Sequence, residues 1–295
     1  MRALVVDPAA PGAVRLADVA EPVAGDGDVL VEVRHTSLNY GDLNDARSGR
    51  VPAGAVLGSD VAGVVVGGAL PVGTRVVGLA AGAFAARVVV PVHSVAEVPA
   101  MVDLARAAAL PVAGVAALRA LRAGGALLGR RVLVTGASGG VGRFAVRLAA
   151  IAGARVIASV GSAARAEGLL ADEVVVGLDN VTGPVDLVLD NVGGAQLVAA
   201  WQLLAPGGSL QSIGWTSGEP AVFPPYSTIG PAKSLTSFIN DGPVGADLAD
   251  LVRLVESGDL PVEIGWRGPL ESFAEAAQAL RDRRVNGKAI LDVTG

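Results

Sequence analysis

A glycine-rich turn between an apolar segment and a helical segment is the first feature of this sequence that could bind a ligand. The stretch VLVTGASGGVGRFAV, residues 132–146, has an apolar strand before the turn and an amphipathic helix after it. Glycines let the backbone approach phosphates closely, and the N–H groups and dipole of the helix N-terminus favour an anion. The pattern predicts a site for the pyrophosphate of a dinucleotide.

The scarcity of metal-binding residues limits the chemistry that is open to this chain. Among 295 residues there is no cysteine, and the only histidines are His35 and His93. Cysteine nucleophiles, disulfides and thiolate metal sites are excluded, and histidine-rich metal centres almost as firmly. We expect no bound metal.

Charge and hydropathy exclude further classes of function. The chain is 52% hydrophobic and 17% charged, with a net charge of −5 and scattered basic residues, so no nucleic-acid partner is expected. No uncharged run of about 18 apolar residues is free of Pro and dense Gly, so no membrane span is expected. The first apolar run stops at Asp7 and Pro8 and does not predict a signal peptide. We expect a soluble, cytoplasmic protein.

The positions of turn residues and apolar runs predict two kinds of structure. Over the first hundred residues, short apolar segments are separated by Gly, Pro and Asp, as in a compact all-β unit. Strands and helices then alternate through 131–136, 140–152, 155–160 and a helix over 162–171, which predicts a parallel, doubly wound sheet.

The glycine-rich turn fits two enzyme families, and other residues decide between them. Spaced as T-G-x-x-x-G-x-G, it is typical of short-chain dehydrogenases, which also need a Tyr-x-x-x-Lys pair. The only tyrosines, Tyr40 and Tyr226, are followed four residues later by Asn44 and Gly230. Spaced as A-x-G-x-x-G, it is typical of medium-chain dehydrogenases, and this interpretation is retained.

Further blocks occur in the order of the medium-chain family. They are SLNYGDLNDARSG (37–49), VLGSDVAGVVVGG (56–68), GTRVVGLAAGAFA (73–85), DNVGG (190–194) and NGKAILDV (286–293). On these blocks the chain resembles the zinc-free medium-chain dehydrogenase/reductases, namely quinone oxidoreductase-like proteins and the enoyl reductase domains of polyketide synthases. The resemblance implies an α/β fold with a GroES-like, β-rich catalytic domain (1–106 and 241–295) and a Rossmann domain (107–240).

The same resemblance indicates how the chain departs from zinc-dependent relatives. Those proteins carry a Cys ligand in the place of Asn39 and a His ligand in the place of Ser59, followed by a four-Cys lobe. With these ligands missing, no metal would polarise an alcohol oxygen.

The residues after the second strand of the alternating region bear on the choice of dinucleotide. NAD-binding turns usually have Asp or Glu there, whereas this chain has Ser159, Gly161 and Ser162, with Arg165 beyond. No carboxylate would repel a 2′-phosphate, and an Arg and two hydroxyls could bind it, so we expect NADPH. Alternatively, Ser162 caps the next helix and Arg165 is solvated.

Most candidate cofactor-binding residues come from the loop and from the resemblance. The loop would contribute Thr135, Ala137, Ser138, Gly139, Gly140, Val141 and Gly142, although Thr135 could simply satisfy local backbone. The resemblance implies that Asn191, Val192, Ile213 and Gly214 pass along the cofactor and that Phe238 presents its backbone to the nicotinamide amide. Lys288 and the neighbouring Asn286 could each contact the cofactor. For Lys288 the favoured interpretation is a solvated lysine at the start of a strand.

The chemistry that remains is hydride transfer from NADPH to an electron-poor carbon. The acceptor would be a quinone or the β-carbon of an α,β-unsaturated carbonyl, and the developing oxyanion would need a hydrogen-bond donor and a proton. The candidate catalytic residues are Asn39, Tyr40 and Asp42, in the family's N-[YF]-x-D block. Alternatively, Asn39 organises a turn, Tyr40 packs its ring, and Asp42 caps a helix, which for Asp42 is the favoured interpretation.

Two other functions stay open. One is an enoyl-thioester reductase of a biosynthetic pathway, although no Arg/Lys cluster for a coenzyme A or phosphopantetheine phosphate is apparent. The other is an NADPH-binding sensor or partner protein with little turnover. The resemblance also implies a homodimer formed through the strand near 234–240.

Overall fold

A mostly antiparallel sheet is the centre of the first part of the chain. The computed structural model describes residues 1–293. Up to residue 107 the elements are β1 (Arg2–Val6), β2 (Val14–Asp18), β3 (Asp28–Leu38), α1 (Tyr40–Ser48), β4 (Asp60–Gly68), β5 (Arg75–Leu79), β6 (Arg87–Pro91), β7 (Val95–Glu97) and α2 (Leu104–Ala107). Alternating buried and partly exposed residues in β3 and β6 match a sheet with one face on a core.

A six-stranded parallel sheet follows. Its elements are α3 (Val115–Ala123), β8 (Arg131–Val134), α4 (Gly140–Ile151), β9 (Arg155–Val160), β10 (Glu173–Val176), β11 (Val185–Asp190), α5 (Gly194–Gln202), β12 (Leu204–Ser212) and β13 (Ser234–Ser237). The strand order is β10-β9-β8-β11-β12-β13. From the centre of the sheet, the chain first adds β9 and β10 on one side of β8, and then adds β11, β12 and β13 on the other side. This doubly wound order confirms the predicted α/β class, and the nearly continuous burial of β9 and β11 is typical of parallel strands.

The chain then returns to the first sheet. The returning elements are α6 (Gly245–Glu256), β14 (Ile264–Pro269), α7 (Phe273–Arg281) and β15 (Lys288–Asp292). β15 pairs antiparallel with β3, with Ala289 opposite Leu38. The last strand thereby brings Lys288 to the end of β3, where α1 begins.

Contacts divide the chain into two units. The first contains Met1–Val115 and residues 242–293, and the second contains Ala116–Asp241. The resemblance implied a boundary at 106. In the structure, the π-helical turn Leu110–Gly114 groups with the first unit, and its Val112 N donates to Asp60 Oδ1 over 2.8 Å.

One predicted element differs. The helix expected over 162–171 is only a 3-10 turn, Ala163–Ala166, that buries none of its residues. Gly168 has φ +71°, in the left-handed region, so a right-handed helix cannot continue through it, and the turn before it packs no apolar face that would stabilise a longer helix. Within residues 1–293, no helix combines the length and the apolar character that crossing a membrane requires.

Candidate functional site

The turn after β8 has the close packing that its glycines predict. A Cβ on Gly142 would lie 2.3 Å from Gly136 O and 2.6 Å from Ala137 Cα, so only glycine lets α4 approach the turn this closely. Gly136 has φ +59°, in the left-handed region that favours glycine. Gly139 is the N-cap of α4, and Gly140, Val141 and Gly142 form its first turn.

A buried hydrogen-bond network lies beneath this turn. Thr135 Oγ1 donates to Asp190 Oδ1 over 2.6 Å. Asn191 N donates to Thr135 Oγ1 (3.0 Å), and Asn191 Nδ2 donates to Thr135 O (2.9 Å). Burial raises the pKa of Asp190, against the hydrogen bonds from Thr135, Gly193 and Val192. The network fixes the carboxyl ends of β8 and β11 to each other.

The other candidate residues of the second unit end the neighbouring strands. Ile213 N and Gly214 N donate to Asp190 O at 2.8 and 3.1 Å, and Phe238 N donates to Ser212 O at 3.2 Å. All of them therefore lie at the carboxyl edge of the sheet, as does Val192 directly after Asn191. The strand order reverses between β8 and β11, and ligands of open α/β sheets bind outside the carboxyl ends of the strands at such a point.

The residues after β9 divide into two groups. Ser159 is fully buried, and its hydroxyl donates to Gly177 O (2.8 Å) and accepts from Gln196 Nε2 (3.2 Å). Its hydroxyl is thus engaged within the protein. Gly161 and Ser162 are exposed, and the side chain of Ser162 makes no capping hydrogen bond to the 3-10 turn that follows in the described chain.

Arg165 reaches back to the glycine-rich turn. Its Nε donates to Ser138 Oγ over 2.8 Å, so a half-buried guanidinium lies beside the loop that begins α4. Guanidinium groups bind phosphate with paired, charge-assisted hydrogen bonds. The second unit therefore has a glycine cradle and an adjacent cation, and these features fit the phosphates of a dinucleotide.

In the first unit, the candidate residues Asn39 and Asp42 belong to a buried polar cluster. Asp42 Oδ2 accepts a hydrogen bond from Asn39 N (2.7 Å), so its carboxyl group caps α1. Asn39 Nδ2 donates to Asp60 Oδ2 (2.9 Å), and Lys288 Nζ donates to Asn39 Oδ1 (2.5 Å). Both ends of the Asn39 amide are therefore held by charged partners.

Asp60 is the centre of this cluster, and no sequence motif pointed to it as a site residue. It is fully buried, its Oδ2 accepts from Ser37 Oγ, and Lys288 Nζ lies 3.3 Å from the same oxygen. The interpretation of Lys288 as a solvated lysine is wrong, because only 4% of this residue is exposed. An Asp on a buried strand and a Lys far along the chain have no joint signal in sequence, since only the pairing of β15 with β3 brings them together.

The electrostatics of Asp42 follow from its burial. Its pKa is raised to about 7, chiefly by burial and less by the negative charge of Asp60, while the hydrogen bond from Asn39 and the charge of Lys288 oppose the shift. Asp42 therefore takes up a proton near neutral pH. It caps the helix as either carboxylate or carboxylic acid, depending on pH.

Tyr40 and Asn286 complete the predicted set in this unit. Tyr40 is the first residue of α1 and is half-buried. Asn286 precedes β15, and its backbone lies so close to β14 that a Cβ on Gly265 would be 2.1 Å from Asn286 O. The roles of these residues towards a ligand remain predictions.

Two known families match the chain. The family described as "Alcohol dehydrogenase GroES-like domain" matches residues 25–100, and the family described as "Zinc-binding dehydrogenase" matches residues 169–291. The first match covers the region of β3 to β7, and the second extends from the parallel sheet into β15.

Individual relatives cover nearly all of the chain. It is 34% identical over 304 residues to erythronolide synthase EryA2 from Saccharopolyspora erythraea. The aligned region is 93% of this chain but only 8% of that protein. The chain thus spans a small part of that relative. It is 32% identical over 323 residues to prostaglandin reductase-3 from Bos taurus, covering 94% of this chain and 84% of that one.

A solved structure superposes on nearly the whole chain. A mycobacterial protein determined in complex with NADPH superposes with a TM-score of 0.88 at 28% identity, covering 99% of this chain and 100% of that chain. These comparisons agree with the order of motifs in the sequence. The chain therefore belongs to the zinc-free medium-chain dehydrogenase/reductase family, whose members are nicotinamide-dependent oxidoreductases.

Proposed function

We propose that this protein is an NADPH-dependent reductase that transfers a hydride to a quinone or to the activated C=C bond of an α,β-unsaturated carbonyl. The main observation that supports NADPH as the cofactor is the contact between Arg165 and Ser138, which holds a cation beside the glycine-rich turn. NADPH differs from NADH by a phosphate on the ribose 2′ position, and a guanidinium suits that group.

The residues at the end of β9 support the same choice. Residues 159–162 have no carboxylate that would accept a hydrogen bond from a ribose hydroxyl or repel a 2′-phosphate. In the proposed complex, the backbone of Ser138 to Gly142 holds the pyrophosphate, and Arg165 with Ser162 holds the 2′-phosphate. The NADPH complex of the mycobacterial relative supports this proposal.

The proposed reduction of the acceptor depends on residues of the first unit. Bound NADPH supplies the hydride. Tyr40 would donate its phenolic O–H to the acceptor oxygen, where negative charge develops. Asn39 is a positioning residue, because its amide is already held by Asp60 and Lys288 and fixes the start of α1.

Steady-state oxidation of NADPH with a panel of small quinones and enones tests this function. We expect turnover with at least one class and a clear preference for NADPH over NADH. Tight NADPH binding without turnover on any acceptor would instead support the sensor or partner function.

An enoyl-thioester reductase is a second candidate. The likeness to erythronolide synthase EryA2 favours it, because the sequence blocks of this chain also resemble the enoyl reductase domains of polyketide synthases. Adding short enoyl-coenzyme A thioesters to the acceptor panel distinguishes the two functions by their relative kcat/KM.

We also propose that the protein is a homodimer. β13 is the edge strand of the parallel sheet and all four of its residues are exposed, so its outer backbone edge could pair with a second copy. Light scattering at micromolar concentration should give twice the chain mass, and a single-chain mass would contradict the proposal.

A further inference from the structure

Two arginines that lie far apart in sequence are brought together in the first unit. α1 and α7 share one hydrophobic cluster, to which α1 contributes Leu43 and Ala46 and α7 contributes Phe273 and Ala276. The last turn of each helix is basic, with Arg47 in α1 and Arg281 in α7. Burial and the positive charge of Arg47 lower the pKa of Arg281, whereas Tyr40 raises it, so both of these side chains act electrostatically on Arg281.

The carboxylates nearest in sequence are committed to other partners. Asp45, two residues before Arg47, pairs with Arg50 over 3.4 Å, and Asp282 pairs with Arg284 over 3.1 Å. Arg281 Nη2 is buried and has no hydrogen-bond partner within residues 1–293. A buried guanidinium nitrogen without a partner is unfavourable, and a neighbouring positive charge increases that cost. A bound oxyanion would remove both costs.

The surroundings of Arg47 restrict the kind of ligand. Arg47 also lines a cavity of about 640 Å³ whose other walls include the apolar residues Val6, Pro8, Ala46 and Val51. Tyr40 and Arg47 are seven residues apart on α1 and therefore share a face of the helix, about 10 Å apart along its axis. An anion held at Arg47 would thus lie within one small molecule's length of the proposed hydrogen-bond donor.

We infer that Arg47 and Arg281 form an anion subsite that holds a carboxylate or phosphate group of the acceptor. The inference rests on the proposed function, because it assigns the acceptor an acidic group separate from its reducible carbon. Guanidinium pairs bind both kinds of oxyanion through paired hydrogen bonds. No sequence pattern marks this cluster, because the two arginines come from helices at opposite ends of the chain.

A matched pair of acceptors tests the inference by turnover. A quinone with a propionate side chain and the methyl ester of that quinone differ only in charge. We expect the ratio of kcat/KM for acid over ester to fall about tenfold in Arg47→Gln and in Arg281→Gln, which corresponds to about 1.4 kcal/mol. Arg50→Gln, an exposed arginine of the same segment that pairs with Asp45, should leave the ratio unchanged. An unchanged ratio in both test variants would overturn the inference.

A second measurement does not depend on turnover. Phenylglyoxal modifies arginines, and peptide mass spectrometry measures the rate at each residue of the full chain. Inorganic phosphate or propionate should slow modification of Arg47 and Arg281 several-fold and leave Arg50 unaffected. Protection by phosphate alone assigns a phosphate-bearing acceptor such as a coenzyme A thioester, and protection by propionate alone assigns a free acid.

The two measurements separate this inference from the function on which it rests. If no acceptor oxidises NADPH but both arginines are protected, the proposed function fails and the anion subsite stands. If neither anion protects either arginine, the subsite is refuted, whatever the turnover. Arg47 is exposed, so Arg47→Gln should fold and keep the test decisive even if Arg281→Gln does not.

Discussion

Lys288 Nζ donates a 2.5 Å hydrogen bond to Asn39 Oδ1, across 249 positions of sequence. The contact exists because β15 pairs with β3, so that the last strand passes the start of α1. Asp60, fully buried, accepts from both side chains. The geometry of the proposed catalytic segment therefore depends on the chain returning to its first sheet.

Replacing Lys288 should destabilise the protein strongly. Lys288→Met leaves Asp60 buried with an uncompensated charge, and breaking a buried ion pair in this way costs about 3–5 kcal/mol. Urea unfolding followed by circular dichroism measures the change. The double variant Asp60→Asn with Lys288→Met removes both charges and should recover much of the loss. A loss below about 1 kcal/mol in the single variant would show that the pair contributes little.

Asp42 should make stability depend on pH in the neutral range. Its pKa is about 7 when folded and about 4 when unfolded, so the folded protein holds the proton more tightly between these values. The contribution of Asp42 to the free energy of unfolding is therefore largest below about pH 4, falls as pH rises and is constant above about 7.

Asp42→Asn isolates that contribution. The asparagine cannot ionise, so the variant should gain stability relative to the natural protein as pH rises from about 4 to about 8. A tenfold difference in proton affinity between the folded and unfolded protein corresponds to about 1.4 kcal/mol, which gives a total change on the order of a few kcal/mol. Denaturant titrations at several pH values measure the difference, and a difference that is constant across the range would contradict the assignment.

Gly142→Ala should damage the nucleotide-binding turn. The added methyl group would lie 2.3 Å from Gly136 O, which is backbone and cannot move aside without opening the turn. We expect a loss of about 1–3 kcal/mol in stability and a larger loss of NADPH affinity. Gly67→Ala is the control, because Gly67 belongs to β4 of the first unit and its added Cβ would come no closer than 3.9 Å to the side chain of Leu30. Equal NADPH affinity in both variants would rule out the predicted role of the turn.

Tyr40→Phe should lower kcat while leaving the fold intact. Removing a positioned acid typically costs at least about 10²-fold, and the ring itself is retained. Tyr226→Phe is a matched control, since it alters the only other tyrosine, which is exposed. Steady-state kinetics with the best acceptor measure both variants. If the two behave alike, Tyr40 is not the donor.

The fold was predictable from the sequence where a local pattern reflects burial. Apolar-rich segments such as 185–190 marked parallel strands, and the glycines of 136–142 marked a turn in which Gly142 packs against Ala137. The helix predicted over 162–171 is wrong. The alanines favour a helix locally, but residues 163–166 are not buried against any other element, and Gly168 adopts a left-handed φ of +71°.

The candidate site was only partly predictable. The glycine-rich turn and the block around Asn39 are contiguous, so their residues could be named from the sequence. Asp60, Asp190 and Lys288 could not, because their partners come from other strands and are fixed by sheet register. Pairing between distant strands leaves no periodic signal in one sequence.

The measurement that tests the central claim most directly is a fluorescence titration of the protein with NADPH and with NADH, repeated on Arg165→Ala. Arg155→Ala is its control, because Arg155 is exposed at the opposite end of β9. We expect tighter binding of NADPH than NADH, and a loss of about 10–100-fold for NADPH alone in Arg165→Ala, as for one charge-assisted contact. Equal affinity for the two nucleotides, or an equal loss for both in the variant, would contradict the assignment of Arg165 to the 2′-phosphate.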